Sequence, residues 1–390
     1  MMRKSFGIIA LSSLTAVTIL NCSGPRRDNT TEVESSASSP ELVCESHSPT
    51  HYKFYIENSG SMKGFFRGTS DAKVIITQMT DRLDENFKEG DTISYNFISN
   101  KIQPYTSSFD NFLNDTYSKC NAQFSELDKN LEMVMDNVDE NSVGLLISDY
   151  CFESKDGNWA TAQSGITRLF TRRLNQNPDL TVAILKYNAG FNGRYYPGAI
   201  NCNESLPLYI WAFGTSQNIK KIVNLKVENE GVLVFQSSKQ LQSKVIKVSG
   251  KPARGRVIRD GAIIVKEWDK EHYDDIYSLD LEMNVDCLAL SKELIEDVNN
   301  YKISSRYEFD KIEMTDNACK IKVCTNRPAP GSITIEHPYQ MPQWVEASNF
   351  EGSGLPDDGT TFGFKYLVKG VFDAYNNKSE NYFSTSITLK

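Results

Sequence analysis

Residues Tyr52 to Gly64 read Tyr-Lys-Phe-Tyr-Ile-Glu-Asn-Ser-Gly-Ser-Met-Lys-Gly. Tyr52, Phe54 and Ile56 alternate as a strand does, with one side chain in two on the same face. The run then stops at three oxygen-bearing side chains spaced two apart, Glu57, Ser59 and Ser61. A tight turn at Gly60 would let the three oxygens converge beyond the strand's end. One carboxylate and two hydroxyls are hard, small donors that suit Mg²⁺ or Mn²⁺ better than a soft metal. Asn-Ser-Gly-Ser is also an ordinary turn sequence with no ion attached, because these residues favour turns by themselves.

Two later segments offer the rest of a ligand set. Ser125-Glu126-Leu127-Asp128-Lys129-Asn130-Leu131 places a hydroxyl where a helix opens, and Val143 to Asp149 places a carboxylate just after an apolar strand. Each has a plainer reading, Ser125 as a helix N-cap and Asp149 as the cap of the next helix. Together, in this order, the segments resemble the metal-ion-dependent adhesion site of von Willebrand factor A domains. In that family the first loop is Asp-x-Ser-x-Ser, usually followed by Met, the second brings a Thr in Thr-x-Leu-x-x-x-Leu, and the third brings an Asp. Here Glu57-Asn58-Ser59-Gly60-Ser61-Met62 has Glu for Asp, and Ser125 stands for the Thr. The resemblance covers residues 50 to 225. It implies an ion held by Glu57, Ser59, Ser61, Ser125 and Asp149, with Asn58 shaping the loop and a partner's Glu or Asp completing the coordination. The extra methylene of Glu57 moves its carboxylate by over ~1 Å, while Mg²⁺ wants near-ideal octahedral geometry at about 2.0–2.1 Å.

The chain is predicted to reach the cell envelope. Arg3 and Lys4 precede an apolar stretch from Phe6 to Leu20, too short for a membrane helix and normal for a signal peptide. Ile19-Leu20-Asn21-Cys22 resembles a bacterial lipobox, with Ile19 where Leu is usual and Asn21 where Gly or Ala is usual. Asn-Cys-Ser at this junction resembles lipoproteins of the Bacteroidota, and the likeness implies lipidation of Cys22 and an outer-membrane lipoprotein facing the periplasm or the surface. A plain secretory signal with an incidental Cys is the alternative. Residues 23–46 are rich in Ser, Thr, Glu and Pro and read as a flexible tether. Removing residues 1–22 leaves 40 Lys and Arg against 50 Asp and Glu, a net −10. That balance argues against nucleic acid or anionic lipid as partner, since both need concentrated positive charge. Membrane contact is expected through the lipid anchor alone.

About 345 residues follow the tether, enough for two domains. Residues 47–228 read as an α/β unit with a doubly wound, mostly parallel sheet. Helical stripes are predicted from Ala72 to Phe87, Phe124 to Val138 and Trp159 to Leu174. Strands are predicted at Thr92–Ile98, Ile102–Thr106 (an edge), Val143–Ile147, Leu180–Leu185 and Leu206–Phe213. Asn188 to Cys202 reads as a Gly- and Tyr-rich insertion, with Phe191, Arg194, Tyr195 and Tyr196 of types found in binding hot spots; a loop packed on its own domain is the alternative, and a doubly wound sheet order would put it near the metal rim. Residues 229–390 read as a β-rich α+β domain with a late helix, Phe362 to Tyr375, packed on it.

Eight cysteines and four scattered histidines, with no Cys-x-x-Cys, make a zinc site improbable. A Cys120–Cys151 bridge would clamp two ligand loops, closing a ring worth roughly 3 kcal/mol. Two thiols, or a Cys151–Cys202 pair, are the alternatives. Cys319 and Cys324 are separated by about 16 Å along a strand, so one of them is expected to pair with Cys287 instead. Two further functions fit the same residues: a scaffold whose site has lost its ion, and a metal-dependent hydrolase using Asp149 and Cys151 with Asp156 downstream. Against the hydrolase, no histidine stands near the second or third loop to act as base.

Overall fold

The computed structural model describes residues 49–389, except 124, 154–156, 197, 226, 250–254, 258–262, 266–276, 305, 316–317, 327–330, 353 and 357–358. The segments predicted as signal and tether, with Cys22, Cys44 and Asp156, lie outside the described residues.

A seven-stranded sheet organises the first part of the chain. Its strands are β1 (His51–Glu57), β2 (Thr92–Ile98), β3 (Ile102–Tyr105), β4 (Ser142–Ser148), β5 (Thr181–Tyr195), β6 (Ile200–Gly214) and β7 (Gly231–Phe235). They lie in the order β3-β2-β1-β4-β6-β5-β7. β1 runs parallel to both β2 and β4, whereas every other neighbouring pair is antiparallel. The sheet is therefore mixed, where a mostly parallel one was expected. β4 and the inner halves of β5 and β6 are apolar on both faces because helices cover both faces, and that burial does not depend on strand direction.

On one face lie α1 (Asp71–Glu85), α2 (Phe109–Lys119) and α5 (Ser216–Val223), with Ala72, Ile76, Met79, Phe112 and Ile219 against Phe54, Ile56 and Leu145. On the other lie α3 (Leu127–Asp136) and α4 (Trp159–Gln176), with Leu131, Val134, Ile166 and Phe170 against Leu146, Ile184 and Trp211. Fully burying one such Leu, Ile or Phe stabilises the fold by about 1.5–3 kcal/mol. α2 was not expected, although Ser108 caps it by accepting from the Asn111 N–H at 3.3 Å.

The stretch read as an insertion is a β-ribbon. β5 and β6 pair without interruption from Thr181↔Gly214 to Tyr195↔Ile200, so the hairpin projects past the sheet at the end where β4 finishes. Its inner face carries Ala189, Phe191, Tyr195, Cys202 and Leu206, all buried. Phe191 meets Phe65 edge-on, with ring centroids 4.9 Å apart. A Cβ at Gly64 would stand 2.4 Å from the Phe191 ring.

Beyond β7 the described residues build two larger sheets and a two-stranded one, Asn349–Phe350 with Thr361–Phe362. Strands 243–249, 277–284, 308–314 and 318–325 form one, and 331–338 with 381–389 centre the other. Their apolar side chains, such as Leu279, Ile321, Ile335 and Phe383, belong to one core cluster, and this part is β-rich as expected. It also carries the short helices α6 (Lys292–Glu296) and α7 (Gln343–Ala347) and the longer α8 (Phe364–Asn376). α8, expected on the β-rich part, lies instead on the first sheet. Leu367, Val368 and Val371 share a cluster with Ile166 and Phe170 of α4. Asp373 accepts from Gln163 at 2.7 Å, and the Tyr375 hydroxyl donates to the Leu180 carbonyl at 2.9 Å. β7 likewise belongs to the first sheet, although its residues were assigned to the second domain. Among the described residues no helix is long and apolar enough to cross a membrane.

Candidate functional site

The first loop is held open by backbone bonds on both sides. Asn58 N–H donates to the Ile98 carbonyl at 3.1 Å, Ala122 N–H to the Asn58 carbonyl at 3.0 Å, and Gly60 N–H to the Ala122 carbonyl at 3.1 Å. The extended path of β1 thus continues to Ser59, which bridges Ala122, before the chain enters a 3-10 helix, Ser61–Phe66. Gly60 has φ −62° and ψ −28°, an ordinary right-handed conformation, so the turn does not depend on a glycine there. Met62, completely buried, accepts the Asp149 N–H on its sulfur at 3.2 Å and joins the first loop to the third.

The structure brings all five expected side chains together. The Ser148 hydroxyl donates to the Glu57 carboxylate, those of Ser125 and Ser59 stand close enough to favour its charged form, and that of Ser61 does the same for Asp149. Ser59 and Ser61 lie 2.9 Å apart, Oγ to Oγ. Ser125 is not the N-cap of α3; Glu126 holds that position, and Ser125 Oγ accepts from Asn130 Nδ2 at 2.8 Å. Nor does Asp149 cap the following helix. Asn158 caps α4, while Asp149 Oδ1 accepts the Cys151 N–H at 3.2 Å.

Glu57, Ser59 and Asp149 are each less than 10 % exposed: 6 %, 8 % and 7 %. Two carboxylates this close and this dry oppose each other's ionisation. Burial first, then the Asp149 charge, pushes Glu57 up to about 7 from its ordinary 4.5, against the pull of its three hydroxyl donors. Burial raises Asp149 too, against the Ser61 hydroxyl and the Cys151 N–H. Among the described residues neither carboxylate forms an ion pair with Lys, Arg or His. Asn58 Oδ1 is a buried acceptor with no partner.

The donor set fits a hard divalent cation: carboxyl and hydroxyl oxygens only, on three loops, in a dry setting where an ion would favour ionisation of both carboxyls. Among the described residues no group of three or more His, Cys, Asp or Glu is placed to hold a metal, so an ion here depends on the serine hydroxyls.

The Cys120–Cys151 clamp is absent; both residues are thiols, the alternative to it. Cys120 points at the Glu57 carbonyl, 3.9 Å away, and Cys151 at the Tyr195 hydroxyl of the ribbon, 3.5 Å away. Cys319 is also a thiol, so no bridge joins it to Cys287.

Three contributors were not foreseen. Ser148 lies at the end of the apolar run of β4, and the hydroxyl next to Asp149 was its only signal. Asn130 interrupts the apolar stripe of α3, and its Oδ1 is buried without a partner. Tyr150 adopts φ +51°, rare for a bulky residue. Its ring, stacked on Trp211 at 4.6 Å between centroids, holds that turn in place. The ribbon packs on its own unit, with Phe191 and Tyr195 buried, and reaches the third loop. The Tyr195 hydroxyl accepts from Cys151 and from the Phe362 N–H at 3.3 Å, and the Phe362 carbonyl accepts the Phe152 N–H at 2.8 Å.

No protein-family model matches the chain, and neither does any curated protein or solved structure.

Proposed function

We propose that this protein is an envelope lipoprotein whose first unit recognises a partner protein through a divalent cation, Mg²⁺ or Mn²⁺. Glu57, Ser59, Ser61, Ser125 and Asp149 would hold the ion, and an Asp or Glu of the partner would complete its coordination. One observation carries the reading. Two buried carboxylates and three serine hydroxyls from separate loops converge at one point, and among the described residues neither carboxylate forms an ion pair. The loops stand at the carboxyl ends of the adjacent strands β1 and β4, where ligands of open α/β sheets bind. This placement supports the likeness to von Willebrand factor A domains; the antiparallel ribbon and β7 depart from it. When bound, the ion supplies a positive charge on which a partner carboxylate can close. The protein's own part is to hold the oxygens dry and oriented.

Recognition fits the site better than hydrolysis. Burial, together with the Asp149 charge, pushes the Cys151 thiol well above its ordinary value, the reverse of an activated nucleophile. Capture from the cell's own envelope tests the reading. The immobilised full chain is expected to retain a partner in Mg²⁺, release it to a chelator, and lose it in Asp149→Ala. Equal capture by all three would favour a scaffold whose site works without an ion.

The anchor is tested at the mature amino terminus. Mass spectrometry is expected to find Cys22 acylated, and Cys22→Ser is expected to abolish the modification. Cleavage elsewhere with an unmodified terminus would rule out the lipoprotein reading.

A further inference from the structure

Glu57 has one more rotatable bond than Asp, and each free torsion must be frozen before a carboxylate can serve as a fixed ligand. The neighbouring strand supplies the means. Ile56 and Ile147 are register partners in the parallel pair β1/β4, so Glu57 and Ser148 leave the sheet side by side. Ser148 is completely buried. Its Oγ accepts the Tyr150 N–H at 2.9 Å, which commits one lone pair. Its single proton is donated to Glu57 Oε2. A serine hydroxyl has one proton, so this orientation leaves none for another acceptor. The Tyr150 N–H is itself held, because the Tyr150 ring is locked against Trp211 and Tyr209.

We propose that Ser148 is the positioning residue that makes Glu57 a workable ligand: it pins one carboxylate oxygen and so fixes the long arm for the cation. The proposal rests on the cation reading of the site. In this role Ser148 acts through Glu57, to which its proton is donated while one lone pair accepts from Tyr150. Groups that orient ligands from outside the coordination shell typically change metal affinity 10–100-fold when removed.

A four-protein cycle on the full chain tests this, using Mn²⁺ affinity measured by titration calorimetry at one fixed pH. The set is wild type, Ser148→Ala, Glu57→Asp, and both together. Ser148→Ala is expected to weaken Mn²⁺ about 10–100-fold in the wild-type background. With Asp at 57 the carboxylate is drawn back by about 1.5 Å, one carbon–carbon bond. It no longer reaches Ser148, and the same alanine change is expected to cost less than about threefold. Ser148→Thr, which keeps the hydroxyl, is expected to retain wild-type affinity. A general packing role would weaken Mn²⁺ equally in both backgrounds, and that result overturns the proposal. So does undiminished binding by Ser148→Ala. If wild type binds no Mn²⁺ at all, the cation reading falls and takes this proposal with it, an outcome distinct from the other two.

Discussion

Asp149→Ala is expected to abolish the rise in melting temperature that Mg²⁺ or Mn²⁺ gives the wild-type chain, while leaving the fold intact. An ion that binds only the folded state stabilises it by about 2.7 kcal/mol at one hundred times its dissociation constant. Without Asp149 one of two charged donors is gone, and Glu57 alone cannot hold the ion in competition with water. The same variant changes the pH profile of the metal-free protein. Folded Glu57 holds its proton up to about pH 7, above its ordinary 4.5. The folded state therefore binds more protons than the unfolded chain between these values. The stability that comes with this is fully present below about 4.5 and is lost as pH rises through about 7. Removing the Asp149 charge should narrow that window without closing it, because burial is the larger cause of the shift. Urea denaturation from about pH 4 to pH 8 reads the slope. An unchanged slope, or a metal-induced shift that survives in Asp149→Ala, would show that the two carboxylates do not form one site.

Gly363→Ala is expected to destabilise the protein by about 2–5 kcal/mol, combining left-handed strain with overpacking. Gly363 has φ +69° at the start of α8, and a Cβ there would lie 2.2 Å from the Phe152 carbonyl oxygen and 2.6 Å from the Trp159 ring. A backbone carbonyl cannot swing aside as a flexible side chain can. Gly359→Ala is the control. Gly359 has φ +75° with nothing within 4 Å of its would-be Cβ, so only the backbone cost applies, about 1–2 kcal/mol. Denaturant midpoints compare the two. Equal losses would mean that the start of α8 does not press on the loop leading from Asp149. The contact matters because Phe152 and Phe362 share a backbone hydrogen bond, and Lys186 ties the same segment down through Ser348 Oγ at 2.8 Å and Gly359 O at 3.1 Å.

The local patterns were largely legible. α1 places Ala72, Ile75, Ile76, Met79 and Leu83 inward, the stripe read from the residues, and β2 spans the seven residues expected, Thr92–Ile98. The three loops were legible because oxygen-bearing side chains break apolar runs at element ends. The ribbon was misread because its exposed face carries Asn188, Gly190 and Asn192, types that favour turns. Its inner face, Ala189, Phe191 and Tyr195, kept the period of two all along. Strand direction was hidden in β5 and β6, since burial on both faces reads the same either way. α8 showed a clear apolar stripe, but a stripe does not say which surface will cover it. Only contacts more than 150 residues apart, such as Tyr375 with Leu180, decide that. The pairing of Ser148 with Glu57 was out of reach for the same reason, being set by the register of two strands 91 residues apart.

Titration calorimetry of the full chain with Mn²⁺, slightly above neutral pH, tests the central claim most directly. At that pH Glu57 is mostly ionised. The account predicts saturable binding of one ion per chain, lost in both Ser61→Ala and Asp149→Ala. No heat and no thermal shift at millimolar Mn²⁺ or Mg²⁺ would contradict it.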